Sequence, residues 1–154
     1  TAEAAAASLT GLQNYRFGKA TTLPFPYAHG ADGVPGSVLD TIADNRERGL
    51  HTLVYLDIKV GTGPSGIDPD HEEYMTADYA AELLAEDLDC AGCVVARAGS
   101  PDPVVAADRL NALAGRSFGD PLHLLVIPGD LHLLEHDALT ELANAPEDAL
   151  PDPV

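Results

Sequence analysis

Basic side chains are scarce in this 154-residue chain: eight Lys and Arg stand against 25 Asp and Glu, for a formal charge of −17. Only Lys19 and Lys59 are lysines, and the nearest approach to a basic cluster is Arg46 with Arg48 on a mixed-charge stretch. Nucleic-acid binders neutralise phosphates with clustered Lys and Arg, so no nucleic-acid partner is expected. Long apolar runs are missing too. The longest, at 53–56, 93–96 and 122–127, fall far short of the ~20 residues that cross a bilayer. No basic-then-apolar leader opens the chain, which leads us to expect a soluble, cytoplasmic protein with no membrane contact. Thr1 runs directly into Ala-rich helical sequence, as in a chain that starts partway through a longer protein. The acids are scattered through every segment and Asp (16) outnumbers Glu (9). Repulsion among so many carboxylates is screened at molar salt, where the Debye length falls to about 3 Å. That reads as halophilic adaptation; the alternative is a surface for a basic partner.

What is present suits one globular α/β domain over 1–154. With 45% apolar and 21% charged residues, a chain this long buries roughly 68–70% of its unfolded surface. Residues 2–13 are Ala-rich and read as a helix. The pair of threonines in 20–25 predicts a strand stopped by Pro24 and Pro26, and 27–36 is a Gly/Pro-rich loop. From Ser37 as N-cap, Val38, Leu39, Ile42 and Ala43 make a helical stripe closed by Gly49. Residues 51–58 form a near-continuous apolar run, as in a strand covered on both faces, and 93–98 and 122–127 repeat the pattern. Residues 59–73 read as a long loop, and 76–88 as a helix capped by Thr76 with Tyr79, Ala80, Leu83 and Leu84 inward. Residues 104–115, entered through Pro101 and Pro103, read as a helix, and 138–144 as the last one. Strands separated by helices imply an α/β sandwich with a largely parallel or mixed sheet of four to five strands.

Several motif matches fail on context. Gly61-Thr62-Gly63-Pro64-Ser65-Gly66 fits G-x-G-x-x-G, but Pro64 interrupts it and Ile67-Asp68-Pro69-Asp70 follows where a helix N-terminus should hold a pyrophosphate. Cys90-Ala91-Gly92-Cys93 leads into a strand rather than opening a helix, so two reduced, partly buried thiols are expected instead of a redox pair. His132 and His136 share a helical spacing but lack a third ligand, so no metal is expected. Hydrolase chemistry is not expected. There remain the turns that follow the three buried strands, where open α/β sheets bind ligands: Asp57-Ile58-Lys59, Ala96-Arg97-Ala98-Gly99-Ser100 and Ile127-Pro128-Gly129-Asp130.

Taken in order, the blocks 10–19, 45–53, Leu56-Asp57-Ile58-Lys59, Tyr74-Met75-Thr76-Ala77, Ala96-Arg97-Ala98-Gly99-Ser100, Phe118-Gly119-Asp120-Pro121, His123 and Ile127-Pro128-Gly129 resemble the C-terminal half of diphthine synthases. That family's N-terminal half, with a glycine-rich loop and a Gly-Asp-Pro loop, has no counterpart here. The acidic composition then suggests a halophilic archaeal member. The resemblance implies a methyltransferase of the tetrapyrrole-methylase-like class that uses S-adenosylmethionine to methylate the modified histidine of translation elongation factor two, a homodimer whose cofactor lies between its two halves. Matching its cofactor contacts are Leu56, Ala98 and His123, with Ala2 and Glu3 at the chain start; Leu56 and Ala98 would offer backbone groups and apolar contact, His123 a ring donor or acceptor. No dedicated catalytic base is implied. The 59–73 loop departs from the family in length. A non-catalytic binding or dimerisation module, or another methyltransferase of this class, are the alternatives; the 16–19 and 45–59 blocks disfavour the latter.

Overall fold

The computed structural model describes residues 1–26, 33–63 and 66–154, with the backbone alone at 62, 63, 66–69 and 71. Most of the expected 27–36 loop, and Pro64 and Ser65 of the glycine-rich match, therefore lie outside the described residues.

Five strands form the central sheet: β1 (Thr21–Leu23), β2 (Thr52–Leu56), β5 (Ala91–Ala96), β6 (Val104–Arg109) and β7 (His123–Ile127), in the order β1-β2-β7-β5-β6. Two further strands, β3 (Ile58–Gly63) and β4 (Gly66–Tyr74), pair only with each other. The helices are α1 (Ala2–Thr10), α2 (Gly36–Glu47), α3 (Ala77–Ala85), α4 (Leu110–Leu113) and α5 (Leu133–Leu142).

The central strands are apolar throughout because both faces are covered, and their period of two divides the core. Leu53, Cys93, Val95 and Val126 face α1 and α5, packing with Ala6, Leu12, Leu131 and Leu139. Their neighbours Val54, Val94, Ala96, Leu125 and Ile127 face the other way, onto Val38 and Ile42 of α2, Ala80 and Leu84 of α3 and Leu110 and Leu113 of α4. Each of these buried large side chains contributes about 1.5–3 kcal/mol relative to exposure. The inward positions expected on α3 hold, with Ala80 and Leu84 fully buried and Tyr79 and Leu83 packed at the edge. The same alternation separates the cysteines: Cys90 leans on the α3 side and Cys93 is buried on the α1 side. Both are free. Burial pushes both thiols upward, Cys93 to about 12, which is the inert pair expected.

The five-stranded sheet is mixed, one of the two forms expected: only β1–β2 is parallel, while β2–β7, β5–β7 and β5–β6 are antiparallel. Two expectations are corrected. Residues 104–109 form no helix but an edge strand, paired from Ala96↔Val104 to Ala91↔Arg109; β-branched Val104 and Val105 suit it, and only 110–113 turn helical. The 59–73 loop is the β3–β4 hairpin, paired from Ile58↔Tyr74 to Gly63↔Gly66, with a register shift at Gly61, whose φ of +85° is the left-handed bulge position that favours glycine. Smaller shifts occur at helix starts. Pro35 precedes α2 in place of Ser37, Thr76 sits at the α3 N-cap without a side-chain bond, and α5 begins at Leu133.

Candidate cofactor cleft

Because β7 runs against β2 and β5, the three ligand-facing turns do not converge. Pro128, Gly129 and Asp130 lie at the opposite end of the strands, on a cavity of about 550 Å³ shared with Arg46, Cys90 and Arg109. The end of β2, the turn after β5 and the start of β7 do meet, around a cavity of about 690 Å³. This volume falls within the ~300–1,000 Å³ typical of small-molecule sites.

Ala2, Leu56, Ala98 and His123 all line this cavity. Glu3, one residue further along α1, does not; successive helical side chains diverge by about 100°. Tyr55, Ile58 and Leu122 also line it, and they are 38%, 42% and 57% exposed. The sequence reading placed Ile58 in a ligand-facing turn but missed Tyr55 and Leu122, although a large apolar residue at a strand end is a signal for them. Ala98 and Gly99 lie outside any strand, and among the described residues their backbone N–H groups have no partner. The cavity thus combines apolar walls with two free donors on one turn. That donor set fits the adenosyl part of S-adenosylmethionine, a flat ring edged by acceptors.

His123 is buried, and both its ring nitrogens are engaged within the chain. Nδ1 accepts the Ala77 N–H at the start of α3 (2.9 Å), which puts the proton on Nε2, and Nε2 donates to Gly119 O (3.1 Å) and Asp120 O (3.0 Å). Phe118 meets the ring edge-on at 6.3 Å between centroids. The imidazole therefore supplies wall and anchorage, leaving no ring nitrogen for a ligand. Asp57 anchors the other side: its Oδ2 accepts the Phe25 N–H (3.1 Å), its Oδ1 its neighbour Ile58 N–H (2.9 Å), and its carbonyl the Met75 N–H (3.0 Å). The hairpin thus leaves and rejoins the sheet at one fixed point.

A second polar cluster, also missed, lies away from this cleft. Glu135 is fully buried, and Oε2 accepts from the Gln13 N–H (3.0 Å) and His51 Nε2 (2.7 Å). Oε1 accepts the His132 N–H (3.0 Å) and lies 3.0 Å from Arg16 Nε, an ion pair whose N–H is not aimed along a hydrogen bond. His51 Nδ1 accepts the Gly129 N–H (2.9 Å), which leaves the His51 proton on Nε2. Desolvation holds the His51 pKa below its ordinary value against the pull of Glu135. For Glu135 desolvation pushes upward, but the donors from Gln13, His132 and His51 outweigh it and the net shift is downward. The sequence hint was an acid inside the apolar Leu133-Leu134-Glu135 stretch. Among the described residues no group of three or more His, Cys, Asp or Glu could hold a metal ion, and no helix is long and apolar enough to cross a membrane.

Curated relatives match the chain from end to end. It is 85% identical over 154 residues to a protein named diphthine synthase from Natronomonas pharaonis, covering 100% of the chain and 58% of that protein. The chain belongs to the diphthine synthase family. Other diphthine synthases match at 70% identity in Halobacterium salinarum (97% of the chain, 57% of the relative) and 46% in Methanosarcina acetivorans (92% and 54%). Halophilic archaeal origin agrees with the acidic composition. The chain spans about half the length of the curated relatives it matches, corresponding to their C-terminal half. Among solved structures, a crystal structure of diphthine synthase superposes with a TM-score of 0.74 at 35% identity over 96% of this chain and 55% of the other. No protein-family model matches the sequence.

Proposed function

We propose that this chain forms one wall of the S-adenosylmethionine and acceptor cleft of a cytoplasmic diphthine synthase that methylates the amino group of the modified histidine on translation elongation factor two. The observation that carries the reading is the meeting of Leu56, Ala98, His123 and Ala2 at a single cavity in a chain 85% identical to a protein of that name. The cofactor supplies an electrophilic sulfonium methyl. Leu56, Val95 and Leu124 would cover its apolar surface and exclude water, and the Ala98 and Gly99 N–H groups would fix its orientation. Displacement by an amine needs alignment within a few ångströms and desolvation of the nucleophile. No side chain of this chain is assigned as a base. Glu3, off the cavity wall, would act at most through the α1 N-terminus. Exposed Leu133, Leu134 and Leu142 on α5, at 61%, 73% and 54%, offer an apolar face for the proposed homodimer.

Two measurements test the reading. Calorimetry on the full-length protein should give saturable S-adenosylmethionine binding, and labelled methyl should pass to unmodified elongation factor. The isolated 154-residue chain should transfer none, because it holds half of the cleft. A full-length protein that binds no S-adenosylmethionine would overturn the proposal.

A further inference from the structure

One side chain ties two turns of the cleft wall together. Arg97 follows β5 in the left-handed region (φ +52°). Its Nη1 donates to Phe118 O (2.9 Å) and Asp120 O (2.7 Å), and its Nε lies 3.7 Å from Asp102 Oδ2. Its own backbone is used as fully: the N–H donates to Leu122 O (2.8 Å), and the carbonyl accepts from Ser100 N (3.0 Å) and Ser100 Oγ (3.0 Å). One residue thus joins the 97–102 turn to the 118–122 turn, and both turns line the cavity. His123 Nε2 grips Gly119 O and Asp120 O from the other side.

We propose that Arg97 is a positioning residue of the ligand site: its guanidinium, engaged by main-chain carbonyls, sets the place of the Ala98 and Gly99 N–H donors and does not pair with the ligand's charge. The inference rests on the cleft reading above. A planar fork that reaches two diverging carbonyls and a carboxylate has no substitute in lysine, whose ammonium keeps the charge as a single point. Gly119 shows how tight the fit is, since a Cβ there would stand 3.0 Å from Arg97 Nη1.

The test uses the full-length protein and two probes, S-adenosylmethionine and methylthioadenosine, which lacks the carboxylate. Arg97→Ala and Arg97→Lys should each weaken both probes alike, by about tenfold, the equivalent of one to two lost hydrogen bonds. Gly119→Ala, which crowds the guanidinium from outside the cavity, should do the same if the arginine variants prove unstable. Affinities within twofold of wild type in the folded variants would overturn the inference. So would a loss confined to S-adenosylmethionine and rescued by lysine, which would make Arg97 a charge partner. If the wild-type protein bound neither probe, the cleft reading itself would fall.

Discussion

Replacing Glu135 with glutamine changes almost no volume, yet it should be among the most damaging single changes in the chain. Three hydrogen bonds and one ion pair converge on two buried oxygens: the Gln13 N–H and His51 Nε2 donate to Oε2, the His132 N–H donates to Oε1, and Arg16 Nε stands 3.0 Å from Oε1. An amide has one acceptor oxygen. Whichever way it is turned, its NH₂ faces either two donors or one donor and the Arg16 guanidinium. His51 cannot adapt by moving its proton, because Nδ1 already accepts from the Gly129 N–H. Each buried donor left unpaired costs about 1–3 kcal/mol, and Arg16 loses its counter-ion at 14% side-chain exposure. The sum is about 2–5 kcal/mol, a large share of the roughly 5–15 kcal/mol stability of a typical domain. For a chain of this size that lowers the melting temperature by ~4–20 °C. Chemical denaturation of wild type and Glu135→Gln at one fixed salt concentration measures it. A difference below about 0.5 kcal/mol, the range of ordinary surface changes, would refute the assignment of Glu135 as the acceptor for three donors and the counter-ion of Arg16.

Acid should act on the same cluster. His51 and Glu135 both have folded pKa values below their ordinary 6.5 and 4.5, so the unfolded chain takes up protons first; stability is full above pH 6.5, falls as pH drops through the His51 window, and falls further below pH 4.5. Denaturation midpoints that stayed flat from pH 7 to 4 would contradict those directions. Raising salt from 0.1 to 1 M shortens the Debye length from about 10 to about 3 Å and should lift the melting temperature by ~2–8 °C at a charge of −17; an unchanged midpoint would count against halophilic adaptation. Gly129→Ala would drive a Cβ into the Leu50 carbonyl and should cost ~1–3 kcal/mol by overpacking, read from the same denaturation curves. His123→Ala, which strips the acceptor from the buried Ala77 N–H, should cost ~2–4 kcal/mol, and a neutral result would mean that the α3 N-terminus finds another partner.

Local pattern was enough for much of this molecule. Apolar runs located β2, β5 and β7 to within two residues, helical stripes located α2 and α3, and the small-residue turn 96–100 marked one wall of the cleft. The charge balance, which needs no fold at all, argued against a nucleic-acid partner and pointed to high salt. Four of the five residues carried over from the family resemblance meet at one cavity. What the sequence could not decide was set by partners far along the chain. Val104–Arg109 satisfies a helical composition, but β5 had an open edge, and six paired residues on a buried strand outweigh a weak helical preference. The direction of β7 is invisible to a periodicity of two, which reads the same both ways; only pairing with β2 and β5 turned it, moving Pro128–Asp130 to the far end of the strands and bringing His123 to the cleft. Arg16, His51 and Glu135 look unrelated in sequence, separated by up to 119 positions. They come together because a carboxylate excluded from water must find its donors wherever the fold places them.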